Sequence, residues 1–168
     1  MRAEIDFAEF VRNSGTSLLR TAFLLTGERH TAEDLVQDTL TALYPKWARV
    51  NGADEPLAYV RQSLVNRFLS SRRKASSRDV LLASIPNRPD LRDVAATVID
   101  RETLMSMLAT LPERQRAAVV LRYLNDLSDE DIAAHLSCRT ATVRSLISRG
   151  FATLRAEFAA TIADRNTA

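Results

Sequence analysis

Residues 127–150, LSDEDIAAHLSCRTATVRSLISRG, carry the clearest structural signal in the C-terminal part of the chain. Ser128 is predicted to cap a short helix, since serine is a preferred N-cap residue. Three acidic residues follow it in the first turn, where the helix dipole favours negative charge. A turn of about three residues, 137–139, separates this helix from a longer one predicted between about Thr140 and Ala160. A short capped helix, a tight turn and a longer second helix form a helix-turn-helix, whose second helix enters the major groove of DNA.

The second helix of this motif is predicted to carry arginine and hydroxyl side chains on its outward face. Arg144 and Ser148 have an i,i+4 spacing, as do Ser145 and Arg149, so each pair shares a face. These side chains are of the types that contact phosphates and base edges in DNA. An ordinary helical hairpin with a solvated basic face is the alternative. Residues 132–156 contain four arginines and no acidic residue, which favours a nucleic-acid partner.

The rest of the chain also has the periodicity of amphipathic helices. Gly27 is predicted to close the first helix, and Thr31, with Asp34 at i+3, to open the second through a capping box. Residues 49–55 are predicted to be a loop, and Pro56 to start a third helix whose arginines face outward. No strand pattern persists beyond a few residues, so the sequence predicts an all-α fold.

Residues 76–98 differ from the helical segments in their weaker periodicity, two prolines and mixed charge. A segment of about 23 residues is too long for an ordinary connection within a domain, so we predict a flexible linker here. Two further helices, 98–111 and 112–124, are predicted to precede the helix-turn-helix. The sequence therefore predicts two small helical domains, 1–75 and 99–168, joined by the linker.

Charge is strongly segregated along the chain, although the net charge of the 168 residues is only +2. Residues 1–55 carry six basic and nine acidic side chains, whereas residues 56–78 carry six basic side chains and no acidic ones. Screening at physiological salt confines electrostatic attraction to about 8 Å, so local blocks of charge decide the affinity for a polyanion. The two acid-free segments are therefore the candidate nucleic-acid surfaces.

Composition excludes several other classes of function. The longest apolar run, residues 117–121, is far too short to span a bilayer, and the acidic N-terminus does not resemble a signal peptide. The single Cys138 cannot form a disulfide framework, so a reduced cytoplasmic setting is expected. The chain has fewer Cys and His residues than a structural zinc site needs, and it has no phosphate-binding glycine loop. We expect no catalytic residues, no metal and no cofactor.

Three segments resemble one protein family. LPERQRAAVVLRYLNDLSDEDIAAHLSCRTATVRSLISRGFATLR, residues 111–155, resembles the C-terminal domain of sigma-70-type factors of the extracytoplasmic-function (ECF) group, and within it the actinobacterial sigma-E-like subfamily. AEDLVQDTLTALYPKW, residues 32–47, resembles the polymerase-binding helix of that family, and PLAYVRQSLVNRFLSSRRK, residues 56–74, its promoter-melting helix. The resemblance covers about 150 of the 168 residues, with the motifs in the family's order.

The resemblance implies a transcription initiation factor that binds core RNA polymerase and promoter DNA. It would read the −35 and −10 elements, assist promoter melting without enzymatic activity, and have an anti-sigma protein as a further partner. The implied polymerase-binding residues are Asp34, Leu35, Gln37 and Asp38. The implied −10 residues are Val50, Asn51, Gly52, Arg61, Asn66, Arg67, Arg72, Arg73 and Lys74. The implied −35 residues are Arg139, Thr140, Thr142, Arg144, Ser145, Ser148 and Arg149.

Other interpretations of these surfaces remain open at this point. The acidic face around Asp38 and the amide of Asn66 are also typical of solvated helix surfaces. A stand-alone helix-turn-helix regulator is the first rival function, although an acidic helix followed by a basic one in the N-terminal half argues against it. A protein-interaction module or an enzyme with a degenerate site is the second rival. Gly150 departs from the alanine common in the family, at a cost of about 1 kcal/mol in a helix interior.

Overall fold

The computed structural model describes residues 6–76 and 100–167, and their side chains except those of 72–76 and 165. The described residues contain helices and turns and no strand, which confirms the all-α prediction. The N-terminal helices are α1 (Phe7–Thr26), α2 (Arg29–Leu43), α3 (Trp47–Asn51) and α4 (Pro56–Ser76), with a 3₁₀ turn at Tyr44–Lys46. The C-terminal helices are α5 (Arg101–Ala109), α6 (Glu113–Tyr123), α7 (Asp129–Leu136) and α8 (Thr140–Thr167).

The chain divides into two compact units, Met1–Ser84 and Ile85–Ala168. Two helical units agree with the two predicted domains. The predicted linker 76–98 lies outside the described residues apart from Ser76, so the domain boundaries at 75 and 99 stay predictions.

In the N-terminal unit, α2 packs against both α1 and α4, and apolar side chains from these helices fill the core. Leu18, Leu25, Leu64 and Phe68 are all at most 1% exposed. The turn between α1 and α2 depends on Gly27, whose φ of 78° lies in the left-handed region that glycine adopts without strain. Its N–H donates to the carbonyl of Phe23 at 2.8 Å, so the predicted end of α1 is confirmed.

The start of α2 differs from the prediction. Glu28, not Thr31, is the N-cap: its carboxylate accepts the backbone N–H of His30 at 2.9 Å and that of Thr31 at 2.7 Å. The Thr31 hydroxyl also donates to this carboxylate. These hydrogen bonds, with the Thr31 hydroxyl contributing most, lower the pKa of Glu28 because they stabilise its charged form. Glutamate is not among the residues usually preferred at an N-cap, which is why the sequence pattern pointed to Thr31.

The predicted loop at 49–55 is shorter than expected, because α3 continues to Asn51. The Gly52 N–H donates to the carbonyl of Ala48 at 3.1 Å and completes the last turn of α3. An aromatic cluster fixes this region on α1: the ring centroid of Trp47 lies 5.3 Å from that of Phe7 and 4.9 Å from that of Phe10. Pro56 starts α4 as predicted.

In the C-terminal unit, α6 and α7 both pack against α8. The boundaries of the first two helices are corrected: α5 begins at Arg101 and α6 ends at Tyr123. The Thr103 N–H donates to Asp100 Oδ1 at 2.8 Å, so Asp100 caps α5. The buried Arg116 donates to the carbonyls of Ala109 at 3.1 Å and Leu111 at 2.9 Å, which satisfies acceptors at the end of α5.

Gly150 lies where α8 and α6 approach closely. A Cβ at this position would lie 2.9 Å from Cγ2 of Val119, a distance that real Cβ atoms essentially never show. Gly150 and Val119 are both buried. The glycine that appeared unfavourable from helix propensity is therefore explained by helix packing.

Candidate nucleic-acid interface

The segment Ser128–Val143 folds as the predicted helix-turn-helix. Ser128 caps α7, because its hydroxyl accepts the Asp131 N–H at 3.1 Å and donates to Asp131 Oδ2 at 2.8 Å. Ser137 ends α7 with φ of 51°, in the left-handed region. The next residue, Cys138, donates its N–H to the carbonyl of Ala133 at 3.0 Å, and α8 begins two residues later at Thr140. These bonds make the reversal between the two helices compact.

Apolar contacts decide which face of α8 points outward. Ile132 and Leu136 on α7 and Val143 on α8 are at most 2% exposed. The other side of α8 is left accessible from its start at Thr140 as far as Arg149. This arrangement is the one that a recognition helix needs, because its outer face has to enter a groove of DNA.

All seven of the predicted −35 residues lie at the start or on the accessible face of α8. Five of them are exposed: Arg139, Thr142, Arg144, Ser148 and Arg149. Thr140 and Ser145 are half-buried. Arg149 Nη2 donates to Ser145 Oγ at 2.7 Å, so this i,i+4 pair is in direct contact, as the spacing suggested.

Sequence reasoning missed the role of Asp129. Its Oδ2 accepts from Arg144 Nε at 2.9 Å, and its Oδ1 accepts from Arg122 Nη2. This carboxylate therefore connects α6, α7 and α8 at the edge of the accessible face. The first-turn position of Asp129 on α7 was predicted, but its pairing with a residue fifteen positions later carries no local sequence signal.

The predicted −10 residues are divided between the surface and the core. Asn66 and Arg67 are exposed on α4, Gly52 is exposed and Asn51 is half-buried. Val50, however, is 0% exposed, so its side chain cannot line a base pocket in this structure. The remaining predicted side chains, those of Arg72, Arg73 and Lys74, lie outside the described side chains.

The prediction that Arg61 faces outward is also wrong, because this residue is only 9% exposed. It precedes Leu64, Val65 and Phe68 by three, four and seven positions, so it lies on the buried stripe of α4. Burial lowers the pKa of the Arg61 guanidinium, since desolvation disfavours its charged form.

Three of the four predicted polymerase-binding residues form one exposed face of α2. Asp34, Gln37 and Asp38 are exposed, whereas Leu35 is 7% exposed and belongs to the core. Within the described residues Asp34 and Asp38 make no ion pair, in contrast to Glu33, whose Oε1 pairs with Arg29 Nε at 2.8 Å. The face therefore presents two carboxylates that are available to a cationic partner.

Neither a metal centre nor a membrane span is found in the described part of the chain. No group of three or more His, Cys, Asp or Glu side chains is suitably placed to hold a metal ion there. None of the helices in the same residues combines the length and apolar character needed to cross a membrane.

Comparison with known proteins finds a family match in each of the two units. Residues 10–78 match the family profile of Sigma-70 region 2, and residues 101–154 match that of Sigma-70 region 4. RNA polymerase sigma-E factor of Streptomyces coelicolor is 33% identical over 156 residues, which cover 93% of this chain and 88% of that protein. The chain belongs to the sigma-70 family. It is a sigma factor of the ECF group and acts in promoter-specific transcription initiation.

Two further relatives agree with this assignment. The ECF RNA polymerase sigma factor SigE of Mycolicibacterium smegmatis is 33% identical over 154 residues, covering 88% of this sigma factor and 59% of SigE. Among solved structures, the sigma factor RpoE of Bartonella quintana, in complex with the anti-sigma factor NepR, gives a TM-score of 0.75 at 28% identity. That match covers 91% of this sigma factor and 96% of RpoE. The identification from sequence motifs is thereby confirmed.

Proposed function

We propose that this sigma factor binds core RNA polymerase through α2, engages the −10 element through α4, and reads the −35 element through α8. The accessible face of α8 is the observation that carries this proposal. It combines arginines with hydroxyl side chains in a stretch, 132–156, that contains no acidic residue. Phosphate contacts would fix the position of α8, and contacts to base edges in the major groove would supply specificity.

The acidic face of α2 supports the proposed polymerase contact. Asp34 and Asp38 lie one helical turn apart, and both are exposed. Carboxylates on one helix face form charge-assisted hydrogen bonds with arginines of a partner. Leu35 takes no part in this surface; its buried side chain instead anchors α2 to the core behind it.

The proposed −10 surface is smaller than the sequence predicted. It comprises the exposed Asn66 and Arg67 on α4 together with Asn51 and Gly52 at the end of α3. An asparagine amide both donates and accepts hydrogen bonds, so Asn66 can read the edge of an unpaired base. Arg72, Arg73 and Lys74 continue the basic sequence along α4, and we include them as contacts to the backbone of the melted strand.

The same proposal covers activity, location and regulation. The protein would have no enzymatic activity and no cofactor, and it would act in the cytoplasm, where polymerase and promoters are found. RpoE of Bartonella quintana, a solved relative, is in complex with an anti-sigma factor. We therefore include an anti-sigma protein among the partners of this chain.

The test separates polymerase binding from promoter reading. Full-length chain is mixed with core RNA polymerase from the source organism, and binding is measured by co-elution and transcription by start-site mapping on a genomic template pool. Asp38→Arg should abolish co-elution, whereas Glu9→Arg, at an exposed acid on α1, should leave it unchanged. Retention of full polymerase affinity by Asp38→Arg would place the contact elsewhere.

The second half of the test concerns α8. Arg149→Ala should weaken transcription from the mapped promoters and leave co-elution intact, because Arg149 lies in the unit assigned to −35 reading. Arg155→Ala is the matched control, since Arg155 is also an exposed arginine of α8 but lies beyond the predicted contacts. Equal loss of binding and transcription in Arg149→Ala would contradict the assigned role.

A further inference from the structure

Asp129 joins three helices of the C-terminal unit through one carboxylate. Oδ1 pairs with Arg122 on α6, and Oδ2 pairs with Nε of Arg144 on α8 at 2.9 Å. The side chains of Asp129 and Arg122 are 19% and 29% exposed, whereas that of Arg144 is 69% exposed. The carboxylate is therefore fixed on its inner side by a partly buried arginine, and on its outer side it holds an arginine that remains open to solvent.

The contact through Nε leaves the far end of the Arg144 guanidinium unoccupied. Within the described residues, Asp129 is the one hydrogen-bond acceptor of this side chain. The two terminal amino groups can form a bidentate pair with O6 and N7 of guanine, which is the commonest specific arginine contact in the major groove. Because a guanidinium is planar, an acceptor at Nε restricts the direction in which the terminal pair points.

We propose that Asp129 is a positioning residue for base reading: it holds Arg144 so that the terminal amino groups of the guanidinium meet a guanine of the −35 element. This inference rests on the proposed function, in which α8 enters the major groove. Arg122 contributes by compensating the charge of Asp129. The three groups together carry a formal charge of +1, from two arginines and one aspartate, so the pairing leaves the face attractive to DNA.

Competition is the physical alternative to positioning: the carboxylate of Asp129 would compete with DNA for Arg144. The exposure of Arg144 argues against competition, because 69% of its side chain is open to solvent while the pair is intact. The two effects make opposite predictions. Loss of a positioning residue reduces the preference for one base, whereas loss of a competitor raises affinity for all −35 sequences.

The experiment uses full-length chain assembled with core polymerase and a promoter library randomised in the −35 element. Bound promoters are sequenced, and base preferences are compared between wild type, Asp129→Asn, Arg144→Lys and the double variant. Glu130→Gln is the matched control, because it removes an exposed carboxylate from the same first turn of α7. Hydrogen exchange of α7 and α8 in each variant verifies that the unit is folded.

We expect the wild type to prefer guanine at one −35 position by roughly 5- to 150-fold, the range for a bidentate arginine contact. Arg144→Lys should lose that preference, since lysine keeps the charge but lacks the planar fork. Asp129→Asn should reduce it by about threefold or more, with preferences at the other positions unchanged. The double variant should resemble Arg144→Lys, and Glu130→Gln should resemble wild type.

Three results would overturn the inference while leaving the proposed function intact. The first is an unchanged guanine preference in Asp129→Asn, and the second is an unchanged guanine preference in Arg144→Lys. The third is an equal loss of base preference at every −35 position in Asp129→Asn, which would indicate a merely structural role. Tighter binding of all sequences by Asp129→Asn would establish competition instead. A wild-type holoenzyme that selects no −35 sequence at all would overturn the proposed function itself.

Discussion

Gly15 and Gly150 both lie inside helices, but only Gly150 is pressed against a neighbouring helix. A Cβ at position 15 in α1 would meet Val11 Cγ1 at 3.9 Å, an ordinary contact. A Cβ at position 150 in α8 would meet Val119 Cγ2 at 2.9 Å. Valine is branched at Cβ and has a stiff χ1, so Val119 cannot turn aside easily. The same substitution, glycine to alanine, should therefore stabilise the fold at position 15 but not at position 150.

The expected change in the free energy of unfolding is the sum of two contributions. In a helix interior, alanine is favoured over glycine by about 1 kcal/mol, and this gain applies to both variants. An extra methyl group in a tightly packed interior costs about 1–3 kcal/mol, and this cost applies to Gly150→Ala alone. Gly15→Ala should stabilise the N-terminal unit by about 1 kcal/mol, while Gly150→Ala should change the C-terminal unit by between zero and about 2 kcal/mol of destabilisation.

Hydrogen exchange of the full-length chain, read by mass spectrometry, measures both units separately. Peptides from α6 and α8 should exchange up to about 30-fold faster in Gly150→Ala, and peptides from α1 about fivefold slower in Gly15→Ala. Adding Val119→Ala to Gly150→Ala should remove the clash, so the double variant should be more stable than the sum of the single effects predicts. If Gly150→Ala instead slows exchange in α6 and α8 by as much as Gly15→Ala does in α1, the close approach of the two helices does not exist.

Three further predictions concern single hydrogen-bonded side chains. Arg116→Met should destabilise the C-terminal unit by about 2–3 kcal/mol, visible as faster exchange in α5 and α6, because the carbonyls of Ala109 and Leu111 lose a charged donor. Ser128→Ala should cost about 1 kcal/mol at the start of α7, measured by exchange of the first turn, since the N-cap is lost. Glu28 has a lowered pKa in the folded chain, so its carboxylate stabilises the fold above the unfolded pKa, and this contribution is lost as pH falls through the lower folded pKa. Glu28→Gln should therefore weaken the dependence of the unfolding free energy of the N-terminal unit on pH in the acid range. The fluorescence of Trp47, the single tryptophan, reports this unfolding.

Features that depend on residues within one helical turn of each other were predictable from sequence. The Ser128 cap, the left-handed Gly27 and the first-position Pro56 each follow from local backbone chemistry. The helix-turn-helix as a whole was predictable for the same reason, because each of its signals lies within a few residues of the next. Its outward face followed from the 3.6-residue period, since the apolar positions of α8 define the opposite side.

Side chains whose roles were transferred from the family alone were less reliable. Leu35 and Val50 are apolar residues that were assigned to surfaces, and both lie in the core. Arg61 was expected to face outward because it is charged, although its spacing from Leu64 and Phe68 places it on the buried stripe of α4. For Leu35 and Arg61 the helical period carried the correct information, and family position or residue type was allowed to override it. Val50 lay in a predicted loop, so no helical period was available to place it, and it belongs to the short helix α3.

The predicted start of α2 was wrong for a different reason. Several residues near position 28 are able to accept a backbone N–H, and capping preferences rank threonine above glutamate. The longer Glu28 side chain nevertheless reaches two N–H groups and the Thr31 hydroxyl at once. Statistical capping preferences describe the average helix. At the start of α2, the number of donors that the Glu28 side chain can reach determines which residue is the N-cap.

The pairing of Asp129 with Arg144 shows why a charge pattern alone does not define a DNA-binding surface. The start of α7 favours carboxylates because of its dipole, and Asp129, Glu130 and Asp131 satisfy that preference. The neighbouring face of α8, as the proposed −35 surface, has the opposite requirement, since a carboxylate beside it would repel phosphates. Arg122, from a third helix, also pairs with Asp129, so the acid that contacts Arg144 on α8 has its charge compensated from α6 as well. The folded unit therefore keeps an acidic first turn on α7 beside an arginine-bearing face on α8, because α6 supplies the compensating charge.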